Sequence, residues 1–163
     1  RLNAALARQV QELQRYRSDF FGRLRELLRD RKDIRVVGDR FVFESEVLFP
    51  SGQATLTPEG LGAMDQLAAA IRDLAKTIPP EIKWALQVDG HTDIRPIASA
   101  QFPSNWELST ARAVSVVKYL AMRGVPAENL VAAGHGEFQP LESGVDEDSL
   151  RRNRRIELKL TNR

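Results

Sequence analysis

The chain has 163 residues, 42% apolar and 28% charged, which suits one globular domain with an appendage and excludes a disordered or membrane-embedded polypeptide. It has no cysteine and no run near the ~18 apolar residues that cross a bilayer, so disulfides, thiolate chemistry and a membrane span are excluded, while cytoplasm and periplasm both stay open. The net charge of +2 is basic only at the ends: residues 1–35 hold ten Lys/Arg against five Asp/Glu, and residues 36–145 eight against thirteen, so no polyanion-binding face forms and no nucleic-acid partner is expected.

The chain opens on Arg1 without Met or a signal segment and reads as a fragment of something longer. Leu2, Leu6, Val10, Leu13, Tyr16, Phe20, Leu24 and Leu27 recur at spacings of three and four, which predicts one apolar stripe on a helix of about 30 residues. We therefore divide the chain into an amphipathic N-terminal helix over 1–33 and a domain over 34–163. Two uses of the stripe stand: it folds back on its own domain, or it pairs two chains as a parallel coiled coil. Opposite charges alternate along the rest of this helix, as on a solvated face.

From Ile34 the period changes to two, and "IRVV", Gly38-Asp39 and "RFVFES" predict a hairpin with a type II′ turn. Thr57-Pro58-Glu59 is an N-cap, a first-turn proline and an acid at the positive end of a helix dipole. The helix it starts carries Leu61, Met64, Leu67, Ala68, Ile71, Leu74 and Ile78, and Pro79-Pro80 ends it. Ile82, Trp84, Leu86 and Val88 alternate with polar or small neighbours as a strand that stops at Gly90. A second helix is predicted from Asn105 to Arg123 with Gly124 as its C-terminal cap and Ala113, Val114, Val117, Leu120 and Ala121 as its core side. "LVAAG", a polar loop, a short helix in "SLRRNRR" and a last strand through Ile156, Leu158 and Leu160, with Glu157 and Lys159 outward, complete a sheet with helices packed on it.

Asp93 lies just beyond a strand end, where strand-to-helix loops place binding groups. Asn105, Ser109 and Arg112 share one face of the second helix, predicted to turn away from Val117 and Leu120. Spacing alone leaves two readings: a surface salt bridge between Asp93 and Arg112, worth at most about 1 kcal/mol, or a site for a ligand with both charges.

"DGHTD", "NWELSTARA", "AAGHGE..P" and "RRNRRIEL", in this order and spacing, resemble the OmpA-like peptidoglycan-binding domain over about Val42 to Thr161. The long loop before "SNWELS" and the upstream "LFPSG.A.L" look like the MotB branch of that family. The resemblance implies an α+β, or α/β sandwich, fold: a βαβαβ-type mixed sheet with helices packed on it, preceded here by the long N-terminal helix. It also implies that Asp93 and Arg112 bind the diaminopimelate of the peptidoglycan stem peptide. The chemistry agrees, because that residue ends in an ammonium and a carboxylate on one carbon, and a guanidinium can grip a carboxylate with two parallel hydrogen bonds. Secondary candidates are Thr92 and Leu108 for backbone groups, Asn105 to fix the loop, Phe49 to wall the pocket, and Arg155 either to line the site or to brace Asp93. Family members often carry an aromatic where His135 stands, so either the rim of the site differs here or that position is solvent-exposed.

By the same resemblance the chain is a non-catalytic wall anchor in the periplasm, tethered to the inner membrane by an absent N-terminal segment and serving an ion-channel-type partner as a homodimer. The alternative is a dimerising structural module with a degenerate site. No enzyme is expected, since the chain lacks a Gly-x-Ser-x-Gly elbow and has only His91 and His135 as histidine bases. No metal or other cofactor is expected, although three ligands such as His91, Asp93 and His135 would suffice for a catalytic zinc. No phosphate loop or dinucleotide fingerprint is present.

Overall fold

The computed structural model describes residues 2–30 and 34–162; the predicted helix end and boundary at 31–33 fall outside them. Helix α1 (Leu2–Leu28) is followed by the hairpin β1 (Ile34–Val37) and β2 (Arg40–Glu44), the short helix α2 (Ser45–Leu48) and helix α3 (Pro58–Thr77). Strand β3 (Trp84–His91), helix α4 (Asn105–Met122), strand β4 (Leu130–Gly134), helix α5 (Glu147–Asn153) and strand β5 (Arg155–Asn162) complete the chain. The five strands form one mixed sheet in the order β1-β2-β5-β3-β4, in which β3 and β4 are parallel and the other pairs antiparallel. The last strand therefore enters the middle of the sheet, and this α+β architecture is the one the family resemblance implies.

Local chemistry sets the elements as the residues predict. Gly38 supplies the positive φ, +62°, that the β1–β2 turn needs. Thr57 caps α3, accepting from Gly60 N at 3.0 Å while its hydroxyl donates to Val47 O, and Ile78 closes the helix before Pro79. Strand β3 differs from expectation at both ends, starting at Trp84 and continuing through Gly90 to His91. Gly90 extends the strand because it pairs in register with Gly134 of β4 on one side and Ile156 of β5 on the other.

One hydrophobic core joins the sheet to α1, α3 and α4. Leu13, Tyr16, Phe20, Leu24 and Leu28 of α1 are buried in it, and Phe21 stacks on Phe41 of β2 with ring centres 4.6 Å apart. Burying side chains of this size is worth roughly 1.5–3 kcal/mol each, so the second half of α1 is held firmly against the core. The stripe ends on Leu28 instead of Leu27, and Leu6 and Val10 near its start stay 51% and 46% exposed.

Helix α4 is rotated relative to the sequence reading. Its buried face is Asn105, Leu108, Ser109, Arg112, Ala113, Val116 and Leu120, whereas Val114, Val117 and Ala121 are only half-buried. The cause is backbone contact. A Cβ on Gly90 would lie 2.2 Å from Ser109 O, and one on Gly134 would lie 2.1 Å from Thr110 Oγ1. These two glycines, side by side in the sheet, let the first half of α4 settle on the strand ends and turn its polar residues inward.

Candidate functional site

A cavity of about 430 Å³ opens beside the loop that follows β3. Its walls include Phe49, Thr92, Asp93, Asn105, Leu108 and Arg112, so six of the seven candidate residues meet in one place. Glu46, Arg95, Glu147 and Arg154 add a charged rim. Asp93 and Arg112 share the cavity but form no salt bridge with each other; each has partners of its own.

Arg112 is 5% exposed. Its Nε donates to Gln53 O at 2.8 Å, its Nη2 donates to Pro50 O at 3.3 Å, and its guanidinium carbon lies 5.1 Å from the centre of the Phe49 ring. The segment between α2 and α3, "FPSGQATL", thus supplies carbonyls and a ring that hold the cation without neutralising it. Among the described residues no carboxylate pairs with Arg112. Burial, and then the charge of Arg154, push its pKa down to about 10, so it remains a cation at neutral pH. A buried guanidinium that faces a cavity without a carboxylate partner has the chemistry to receive an anion.

Asp93 is the opposite case. Burial raises its pKa, but hydrogen bonds from Arg95 and Arg154 outweigh that and hold it below the usual carboxylate value. Its Oδ1 accepts from Arg95 N at 2.9 Å, and its Oδ2 accepts from Arg95 Nη2 at 2.8 Å, Arg95 Nε at 3.1 Å and Arg154 Nη1 at 2.6 Å. Arg154 is itself fixed by Glu46 and by Glu147 at 3.1 Å. Burial lowers its pKa and these three carboxylates raise it above the ordinary arginine value. Asn105 Nδ2 donates to Arg95 O at 3.1 Å, which anchors the loop as predicted for Asn105. Thr92 N donates to Gly136 O at 2.9 Å, tying the same loop to the end of β4.

Arg155 neither lines this cavity nor braces Asp93. It donates instead to Glu157 Oε2 of its own strand at 2.5 Å, Asn153 O at 3.0 Å and Gln139 O at 2.8 Å. The brace is its neighbour Arg154, because residue 154 precedes the strand while residue 155 takes the first inward register position opposite His91. Glu157, expected on a solvated face, is buried between Arg155 and Arg40, the latter at 2.7 Å. His135 is no rim residue either: its Nε2 lies 2.8 Å from Asp89 Oδ1 and its ring stacks on His91 with centres 4.6 Å apart. Sequence reasoning missed Arg95 and Arg154; "TDIR" and the four arginines of "RRNRR" were the available signal.

No described helix is long and apolar enough to cross a membrane, and no described cluster of three or more His, Asp or Glu could hold a metal ion. Motility protein B of Bacillus subtilis is 34% identical over 116 residues, 71% of this chain and 42% of that protein. The crystal structure of a MotB-like protein from Desulfovibrio vulgaris is 29% identical, with a TM-score of 0.72 over 94% of this chain and 98% of its own. The structure of the cell wall anchor of the T6SS from Pseudomonas aeruginosa is 28% identical, with a TM-score of 0.73 over 85% of this chain and 96% of its own. The chain spans about half or less of the length of the curated relatives it matches. The OmpA family pattern matches residues 48–154, from the end of α2 to the Arg154 brace, and the chain belongs to the OmpA family.

Proposed function

We propose that this chain binds peptidoglycan through the diaminopimelate of the stem peptide and so anchors a membrane protein complex to the cell wall. The observation that carries the reading is Arg112, a buried guanidinium with no carboxylate partner among the described residues, in the same cavity as the Asp93 carboxylate. The ligand's terminal carboxylate meets Arg112, and the ammonium on the same carbon meets Asp93. No nucleophile or metal is needed for this, and the role is binding rather than catalysis. Similarity to a motility protein and to a cell wall anchor supports the anchoring role. In this role the chain lies in the periplasm, joined by an N-terminal segment to the inner membrane and to an ion-channel-type partner.

The test is an NMR titration with meso-diaminopimelate, with lysine as control. The expected result is saturable shifts at the Asp93 loop and the start of α4 for wild type, none with lysine at equal concentration, and none for Asp93→Ala. Equal responses to lysine and diaminopimelate would overturn the zwitterion reading.

A second reading rests on the exposed Leu6 and Val10 at the free half of α1. We infer that this half pairs with a second copy, making the anchor a homodimer through a short coiled coil. Sedimentation of wild type and a Leu6→Glu/Val10→Glu variant checks it: the expected change is from dimer to monomer, and an unchanged mass removes the claim.

A further inference from the structure

The site presents a conflict, because the oxygens of Asp93 that the proposed function assigns to an ammonium already accept hydrogen bonds from the protein. Four nitrogens donate to them, three from Arg95 and one from Arg154. The two arginines differ in how firmly they are held. Arg154, with a side chain 15% exposed, is clamped by Asp93, Glu46 and Glu147. The Arg95 side chain is 54% exposed, and among the described residues its side-chain hydrogen bonds go to Asp93 alone. The Arg95 backbone is pinned by Asn105 and by its own amide bond to Asp93 Oδ1, so the side chain can leave while the loop stays in place. A landing place is also present: Arg95 Nη1 already lies 3.7 Å from Glu147 Oε2, the oxygen of Glu147 that Arg154 does not use.

We propose that Arg95 is a tethered cationic plug: its guanidinium holds Asp93 Oδ2 in the free protein and swings to Glu147 Oε2 when the ligand's ammonium takes its place. The inference rests on the diaminopimelate reading and adds a selectivity rule to it. One cation replaces another, so the charge around Asp93 is unchanged on binding and Arg154 keeps its three carboxylates. A ligand with a carboxylate but no ammonium reaches Arg112 and leaves the plug in place. The plug also keeps Asp93 from being left as a buried carboxylate with fewer partners while the site is empty.

The test is calorimetric titration of the whole chain with meso-diaminopimelate and with pimelate, which has the same seven-carbon diacid chain and no ammonium. The proteins are wild type, Arg95→Ala, Glu147→Gln and the double variant, with circular dichroism to confirm the fold of each. Arg95→Ala is expected to bind meso-diaminopimelate about fivefold tighter than wild type, the size of one half-exposed ion pair. It is expected to gain nothing with pimelate. Glu147→Gln weakens binding because the displaced plug has no landing place, and the double variant binds like Arg95→Ala because there is no plug to land. If wild type binds and Arg95→Ala binds equally or more weakly, the plug is overturned and the diaminopimelate reading stands. If the double variant is as weak as Glu147→Gln, the exchange onto Glu147 is overturned. Binding by neither wild type nor Arg95→Ala overturns both the reading and the plug.

Discussion

Glu157 and Arg112 are both almost fully buried charges near the same ends of the strands, yet their surroundings differ. Glu157 lies between Arg40 at 2.7 Å and Arg155 at 2.5 Å, whereas Arg112 meets two backbone carbonyls and a phenyl ring. The carboxylate–guanidinium set in the first region is closed on itself; the second holds a cation that no carboxylate among the described residues neutralises. Closed sets are structural, because their charges repay each other's desolvation. On the proposed function, the open one keeps its electrostatic gain for a ligand that brings the missing carboxylate.

The largest expected effect breaks the closed region. Glu157→Ala leaves Arg155 buried without its carboxylate and should cost about 3–5 kcal/mol in urea unfolding. Arg112→Met abandons no counter-charge and should cost about 1 kcal/mol or less. Equal losses would mean that the two regions do not differ in kind.

A pH series sharpens the same contrast. His91, 2% exposed and with both ring nitrogens unpartnered, is pushed down from 6.5 to about 4 by burial first and the charge of Arg155 second. The unfolded chain therefore takes up the proton before the folded one as pH falls. The stability this histidine contributes is complete above about pH 6.5 and declines toward pH 4, by roughly 3 kcal/mol in all. Asp93 and Glu157, both held below the ordinary carboxylate value, add further losses at still lower pH. Unfolding free energies measured from pH 7 to 4 should show this slope in wild type, and a His91→Leu variant should lose most of it even where its overall stability is lower.

Glycine substitutions test how the open region is positioned. Gly90→Ala would put a methyl group 2.2 Å from Ser109 O, and should cost about 1–3 kcal/mol and shift the start of α4 away from the Asp93 loop. Gly22→Ala, with nothing within 4 Å of the added carbon, should instead stabilise α1 by about 0.5–1 kcal/mol. Thermal unfolding of the two variants, which should move in opposite directions, checks both.

Local signals carried most of the fold. The Thr57-Pro58 start of α3, the Gly38 turn and the alternation through Leu86, Val88, Ile156 and Leu158 each act within a few residues, so they are readable one segment at a time. The candidate site was readable as far as Asp93, Arg112, Asn105 and the Phe49 wall, where motif order added what spacing left open. What stayed hidden depends on contacts between distant segments. The rotation of α4 follows from two glycines in different strands that the helix backbone rests on. The choice of Arg154 over Arg155 as the brace follows from where β5 enters its register, and four arginines in five residues look alike before that register is known. Glu157 alternates with leucines as a solvated residue would, and only the crossing of Arg40 and Arg155 over it makes its burial tolerable.

The most direct test of the central claim is a calorimetric titration of wild type and Arg112→Ala with meso-diaminopimelate. Saturable binding by wild type, lost in an Arg112→Ala protein that still unfolds cooperatively near the wild-type midpoint, is the predicted result. Undiminished binding by Arg112→Ala would contradict it, because the buried cation of this cavity would then have no part in holding the ligand.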